Sequence, residues 1–221
     1  MRRDRVWFED PVRVVPRVLT SLYSKWVRAT YSFASFGRDV QIHYTWDARK
    51  YQAPRMSIGS NILIGKDVHF GISAPDREER GDPIIIIEDN CVIVRRVQIS
   101  ARNRIHLERG VVLSASVLVM DHNHAYEDVN IPIRDQGDTA GGTIRIGEGC
   151  WVGHGAAIVC NEGELVLGRN CVVGANALVT QSFPPYSVIV GNPARVVRQF
   201  NSAEKRWLPE FSRPRVEAAK E

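Results

Sequence analysis

The sequence has few cysteines, and none of them sit at a redox or metal-finger spacing. Cys91, Cys150, Cys160 and Cys171 are its only thiols in 221 residues, so a secreted disulfide framework is not expected and the thiols are read as reduced. Long apolar runs are missing as well; no window offers the roughly 18 residues that a spanning helix needs. The basic N-terminus lacks an apolar stretch followed by a small-residue cleavage site, so no secretory signal is read there. Charge of one sign is also wanting: 29 basic residues against 25 acidic ones leave +4, too mild a balance to imply a nucleic-acid partner. With 44% hydrophobic and 24% charged residues, the chain is not expected to be largely disordered. What remains is a globular, cytoplasmic protein long enough to bury one sizeable core.

Periodicity is abundant. One aliphatic or aromatic residue recurs every six positions: Ile58, Ile64, Phe70; Ile87, Ile93, Ile99; Leu107, Leu113, Val119; Ile146, Val152, Ile158; and, after a slip of three, Leu167, Val173, Val179. Neither a 3.6-residue helix nor a hairpin array keeps such a register. A repeat of six is the mark of a parallel β-helix, whose coils of three short strands bury columns of aliphatic side chains.

Two further columns follow. Gly59, Gly65, Gly71, Gly147, Gly153, Gly168 and Gly174 come one residue after the aliphatic position, as expected if each corner needs a backbone conformation that a Cβ would penalise. Four residues after it lie Cys91, Cys150, Cys171, Ala74, Ala156 and Ala177, small groups suited to a narrow interior, which makes these thiols packing residues. Cys160 falls in the slip and is expected to be more exposed. The middle third can be phased on Leu107 or on Ile105. The Leu107 phase is preferred because it puts Glu108-Arg109-Gly110 at a corner, where polar turn residues belong. Two segments leave the coil, Ala74 to Pro83 and Asp121 to Gly142, and a long ordered excursion from a rigid solenoid is where function tends to reside.

The second excursion begins Met120-Asp121-His122-Asn123-His124. With Ile146-Gly-Glu-Gly-Cys-Trp-Val-Gly153 and Phe183-Pro-Pro-Tyr-Ser-Val-Ile-Val-Gly-Asn-Pro-Ala-Arg195, the sequence resembles the hexapeptide-repeat acyltransferases. The likeness is to their sugar O-acetyltransferase branch, which modifies maltose, galactosides and cell-surface polysaccharides, and it covers roughly Phe36 to Phe200. It implies a left-handed parallel β-helix, a homotrimer, acetyl-CoA in a groove between neighbouring coils, and a sugar or glycan acceptor. The activity it implies is direct acetyl transfer to a hydroxyl, with an amino-sugar N-acetyltransferase as the alternative and a non-catalytic scaffold or zinc protein as a more distant one.

The resemblance makes His122 the general base, since a neutral imidazole can take the proton of an attacking alcohol. His124 competes for that role and otherwise contacts the acceptor. Asp121 is placed with the substrate contacts, although it could equally orient an imidazole or cap a turn. His43, His69 and His106 read as structural or surface histidines, and no metal is expected because an H-x-H pair alone does not make a zinc site. Trp151 should point outward, because Cys150 already takes the interior position, and should line the donor groove. Gly153, His154, Thr180, Gln181, Asn192, Arg195 and Arg198 complete the expected donor site. The two arginines suit phosphate recognition, or else are solvated charges. Gln181 stands where relatives more often carry lysine, and His154 where many carry a small residue. Asn161-Glu162-Gly163 should form a bulge.

The chain thus divides into an N-terminal amphipathic helical segment (1–35), the β-helix (36–200) with its loop 121–142, and a charged tail with a short closing helix (201–221). Val14, Val15, Val18, Leu19, Leu22, Trp26, Val27 and Tyr31 lie among arginines and lysines in the first of these. This segment either caps the open end of the solenoid or makes a peripheral contact with an anionic membrane.

Overall fold

The computed structural model describes residues 11–73 and 81–209. Short strands follow one another around three faces, called A, B and C here, with six, nine and six strands respectively. Every contact between successive coils is parallel. On face A, Phe36, Ile58, Ile87, Leu107, Ile146 and Leu167 stand in register. Face B stacks Ile42, Ile64, Ile93, Leu113, Val152, Val173 and Ile189, and face C stacks Ala48, Phe70, Ile99, Val119, Ile158 and Val179. The Leu107 phase is therefore the one adopted. The alternative positions Ile105, Val111 and Val117 are also buried, because each strand sends residues i and i−2 inward. Truncating an interior side chain such as Ile99 would cost about 2–5 kcal/mol.

Corner chemistry differs from the expectation in one respect. The glycine that follows the aliphatic residue is not in the left-handed region; the residue two places further on is, at Asn61, Asn90, Gly110, Gly149, Asn170, Asp67, Arg96, Ser116, Gly155 and Asn176. Asn, Asp and Gly tolerate that conformation best. The glycines serve coil stacking instead. A Cβ on Gly147 would lie 2.7 Å from the Leu167 carbonyl oxygen, and one on Gly153 2.7 Å from that of Val173.

The slip at Asn161-Glu162-Gly163 belongs to a wider rule. Six-residue spacing holds from face A to B and from B to C, but the C–A edge is elastic, taking 8 residues from Ile99 to Leu107 and 27 from Val119 to Ile146. Residues 161–164 bulge outward at this edge. Cys160 turns inward beneath them and is only 6% exposed, which corrects the expectation that it is exposed. Cys91, Cys150 and Cys171 are fully buried, with Ala156 and Ala177 in their column; Ala74 lies outside the described residues, as does most of the excursion that begins there. Burial pushes the Cys91 thiol up to about 11, and a hydrogen bond to Cys171 together with burial pushes Cys150 up as well.

Helix α1 (Pro11–Thr30) lies against the first coil. Val27 is fully buried, and the Ser24 hydroxyl accepts the Ile42 N–H at 2.8 Å. Among the described residues, strands rather than the expected closing helix follow the solenoid. Arg195–Asn201 runs antiparallel to Ser187–Val190 and is followed by Arg206–Pro209, again antiparallel, so face B ends in a β-meander. The extended backbone of Arg195–Asn201 pairs edge to edge with face B, which a helix could not do. Residues 210–221 and 1–10 lie outside the described residues.

Candidate active site

Asp121 is the first residue past the last strand of the fourth coil. Its carboxylate is wholly buried and takes four donors. Oδ1 accepts the Arg102 N–H at 2.6 Å and faces His122 Nδ1 at 3.0 Å; Oδ2 accepts the N–H groups of Asn103 and Arg104, both at 2.9 Å. A carboxylate so enclosed favours the Nδ1–H tautomer of His122 and leaves Nε2 as the nitrogen open to a substrate. Gly141 makes this fit possible. It has φ +75°, and a Cβ there would come within 2.8 Å of the Asp121 carbonyl oxygen and 3.3 Å of His122 Cβ. Asp121 is therefore a positioning group that caps the 102–104 turn. With no surface left for an acceptor, its assignment as a substrate contact is overturned.

Beyond His122 the excursion folds back on itself. Asn123 N–H donates to Thr139 Oγ1 and Thr139 N–H to the Asn123 carbonyl, at 3.0 and 2.7 Å, while Ala125 N–H reaches the Gly137 carbonyl at 2.9 Å. His124 is 72% exposed and meets Asp138 Oδ1 at 3.2 Å through Nδ1. Asp138 also accepts from the Ser73 hydroxyl and lies 3.7 Å from the Arg102 guanidinium. This carboxylate, which ties the arm to earlier coils, gave no signal in the sequence because its partners are far apart along the chain.

The outer surface of face B is the other half of the picture. Leu63, Val92, Val112, Trp151, Val172 and Val188 form one register-aligned column. Trp151 is half exposed, and its indole N–H donates to Ser114 Oγ at 2.9 Å. Arg198 pairs with Val188, which puts a guanidinium at the end of an apolar stripe. Arg195 starts the same strand, and Asn192 lies in the preceding turn, joined to Pro193 by a cis peptide bond.

The expected site residues thus fall into two groups. His122, His124, Thr180 and Gln181 lie along the C–A edge, two coils apart. Trp151 and Arg198 are on face B, with His154, Asn192 and Arg195 exposed at its border with face C. Face B is the one face that does not border the C–A edge, so one chain does not bring His122 and Trp151 together. Gly153 is not a donor contact: it is buried, its N–H bonds Val173 and its carbonyl accepts from Ala156. Among the described residues, no group of three or more His, Cys, Asp or Glu is placed to hold a metal ion.

No family model matches the sequence. A Mycobacterium tuberculosis protein named "Probable acetyltransferase Rv3034c" is 30% identical over 162 residues, 73% of this chain and 48% of its own length. Galactoside O-acetyltransferase of Escherichia coli is 30% identical over 153 residues, 68% of this chain and 60% of its own. The chain thus spans about half to two thirds of these relatives. AntD, an N-acyltransferase of Bacillus cereus solved with dTDP and 3-hydroxybutyryl-CoA, superposes with a TM-score of 0.65 at 18% identity, over 82% of this chain and 90% of that one. A hexapeptide-repeat acetyltransferase of Vibrio cholerae complexed with acetyl coenzyme A gives 0.52 at 19% identity, over 82% and 78%. The fold is the left-handed β-helix of the hexapeptide-repeat acyltransferases. The chain's homologues in sequence are acetyltransferases, O-acetyltransferases among them.

Proposed function

We propose that the protein transfers an acetyl group from acetyl-CoA to a hydroxyl of a sugar or of a cell-surface glycan precursor, in the cytoplasm. The observation that carries this reading is the buried Asp121–His122 pair at the mouth of the 121–142 excursion. Nε2 of His122 takes the acceptor's proton as its oxygen attacks the thioester carbonyl. The tetrahedral intermediate then expels the coenzyme A thiolate, which recovers that proton from the imidazolium. No covalent enzyme intermediate is needed, and Asp121 steadies the charge that appears on the ring.

The donor would lie on face B. Its apolar column suits the pantetheine arm, Trp151 offers a broad surface, and Arg195 and Arg198 suit the phosphates. Since face B and the C–A edge point apart, the donor face of one chain must meet the His122 edge of another. A closed ring of such heterologous contacts is a homotrimer on a three-faced solenoid.

Coenzyme A release with a panel of sugars tests the reading. His122→Ala should lower kcat by about 10²–10⁴-fold, while His124→Ala should chiefly raise KM for the acceptor. Full activity in the His122 variant would remove the imidazole from the mechanism. Turnover confined to amino sugars would favour the N-acetyltransferase alternative, consistent with a fold neighbour that is an N-acyltransferase.

A further inference from the structure

Helix α1 carries more apolar surface than the solenoid covers. Its inner side holds Val27, fully buried, and Ser24, 7% exposed, with Tyr23 packed against the core. At 100° per residue, Val15, Val18, Leu19, Leu22 and Trp26 fall on a separate arc beside that face. All five remain 44–58% exposed. A third arc, next to the apolar one, presents Arg17, Lys25 and Arg28; with Arg13 these are the only charged residues of Pro11–Thr30, which has no acidic residue. Arg28 also reaches back to the Gly37 carbonyl at 2.9 Å. An exposed apolar stripe of this kind marks an interaction surface.

Charge decides between the possible occupants. A second copy packed stripe to stripe would set two basic rows side by side with no carboxylate on either helix to pair them, which opposes association. An anionic lipid surface complements the same row. Trp26 packs beside Tyr23 with ring centroids 5.6 Å apart, and such aromatic groups favour the headgroup level. We propose that α1 is a two-sided element, sealing the first coil with one face and docking the protein peripherally on an anionic membrane with the Val15–Trp26 stripe. The helix would lie in the plane of the interface, since no helix among the described residues is long and apolar enough to cross a membrane. The proposal is independent of the acyl-transfer reading, because it rests on α1 alone.

Co-sedimentation of the full chain with phosphatidylcholine vesicles, with and without phosphatidylglycerol, tests it. Binding should need the anionic lipid and weaken with salt. Val18→Glu with Leu22→Glu should reduce partitioning by about tenfold or more. Arg17→Ser with Lys25→Ser, which leaves the apolar stripe intact, should reduce it by a similar factor at low salt and by little at high salt. Circular dichroism should stay unchanged in both pairs. The proposal is overturned if the full chain ignores anionic vesicles, or if neither pair alters binding. It is equally overturned if the glutamate pair instead lowers the particle mass measured by light scattering, which would assign the stripe to a second copy.

Discussion

Face B and the C–A edge are built from the same coils and could hardly differ more. Face B repeats without interruption: six-residue spacing on either side of it and, from the second coil on, one apolar side chain per coil on its outer surface. The C–A edge changes length at almost every coil and collects Asp121, His122, Asp138 and the folded-back arm. The interior tolerates both, because the inward columns stay in register whatever leaves the edge. A solenoid can therefore vary its chemistry at one edge while keeping a constant surface on the opposite face. Regularity makes a surface for binding something extended, and irregularity makes room for a reacting group.

The largest expected effect comes from breaking the edge alone. Asp121→Asn keeps the shape but puts an amide opposite His122 Nδ1 and against three backbone N–H groups. The favoured tautomer is lost, and kcat should fall by about 10²–10⁴-fold. The thermal midpoint should fall too, because a buried N–H left without an acceptor costs about 1–3 kcal/mol. A positioning role predicts a changed pH profile for the residual activity with KM for acetyl-CoA preserved; a raised donor KM with unchanged kcat would count against it.

Breaking face B should leave the edge intact yet also abolish the proposed activity. Val172→Arg adds a charge to the outer column beside Trp151 without touching the interior. The assembly mass measured by light scattering should drop to that of a single chain, with activity falling in step, while the thermal midpoint of the monomer barely moves. An unchanged mass with only a higher KM for acetyl-CoA would mean that the column binds donor but joins no subunits. Trp151→Ala tests the milder version, with an expected rise of about tenfold in that KM.

This comparison also shows why some features were legible in sequence and others were not. Inward columns announce themselves because stacking demands the same residue type at fixed intervals, so the coils and their phase follow from Ile58 to Val179. Trp151 followed from its neighbour, since a buried Cys150 forces the next side chain outward. Asp121 was harder: an aspartate before a histidine fits an acceptor contact, an orienting group or a turn cap, and only the backbone of residues 102–104, folded over it from the previous coil, settles which. Gly153 misled for a related reason. A glycine in a motif looks like a place for a ligand to approach, but here the next coil occupies that space. The C-terminal meander was missed because Arg195–Asn201 becomes a strand only through the open edge of face B, which is a tertiary condition.

The smallest effect is expected on face A, whose outer surface lacks the stripe. Where face B presents Val112 and Trp151, face A presents His106 and Arg145, bonded to Glu88 and Glu108. Partial burial pushes the Glu108 carboxyl up, but the Arg145 guanidinium at 2.8 Å and the Glu148 N–H at 2.9 Å outweigh it and hold the group below its ordinary value of 4.5. A carboxylate depressed in the folded state adds stability that is fully present above that ordinary value and is lost as pH falls through the depressed one. Glu108→Gln should therefore lower the thermal midpoint slightly at neutral pH, by an amount worth less than about 1 kcal/mol given the exposure of the pair. The difference from wild type should vanish in acid and shrink in salt. If instead the gap persisted in acid strong enough to protonate the depressed carboxyl, Glu108 would be acting as a turn cap through shape, and the outer ion pairs of face A would contribute nothing that the apolar column of face B lacks.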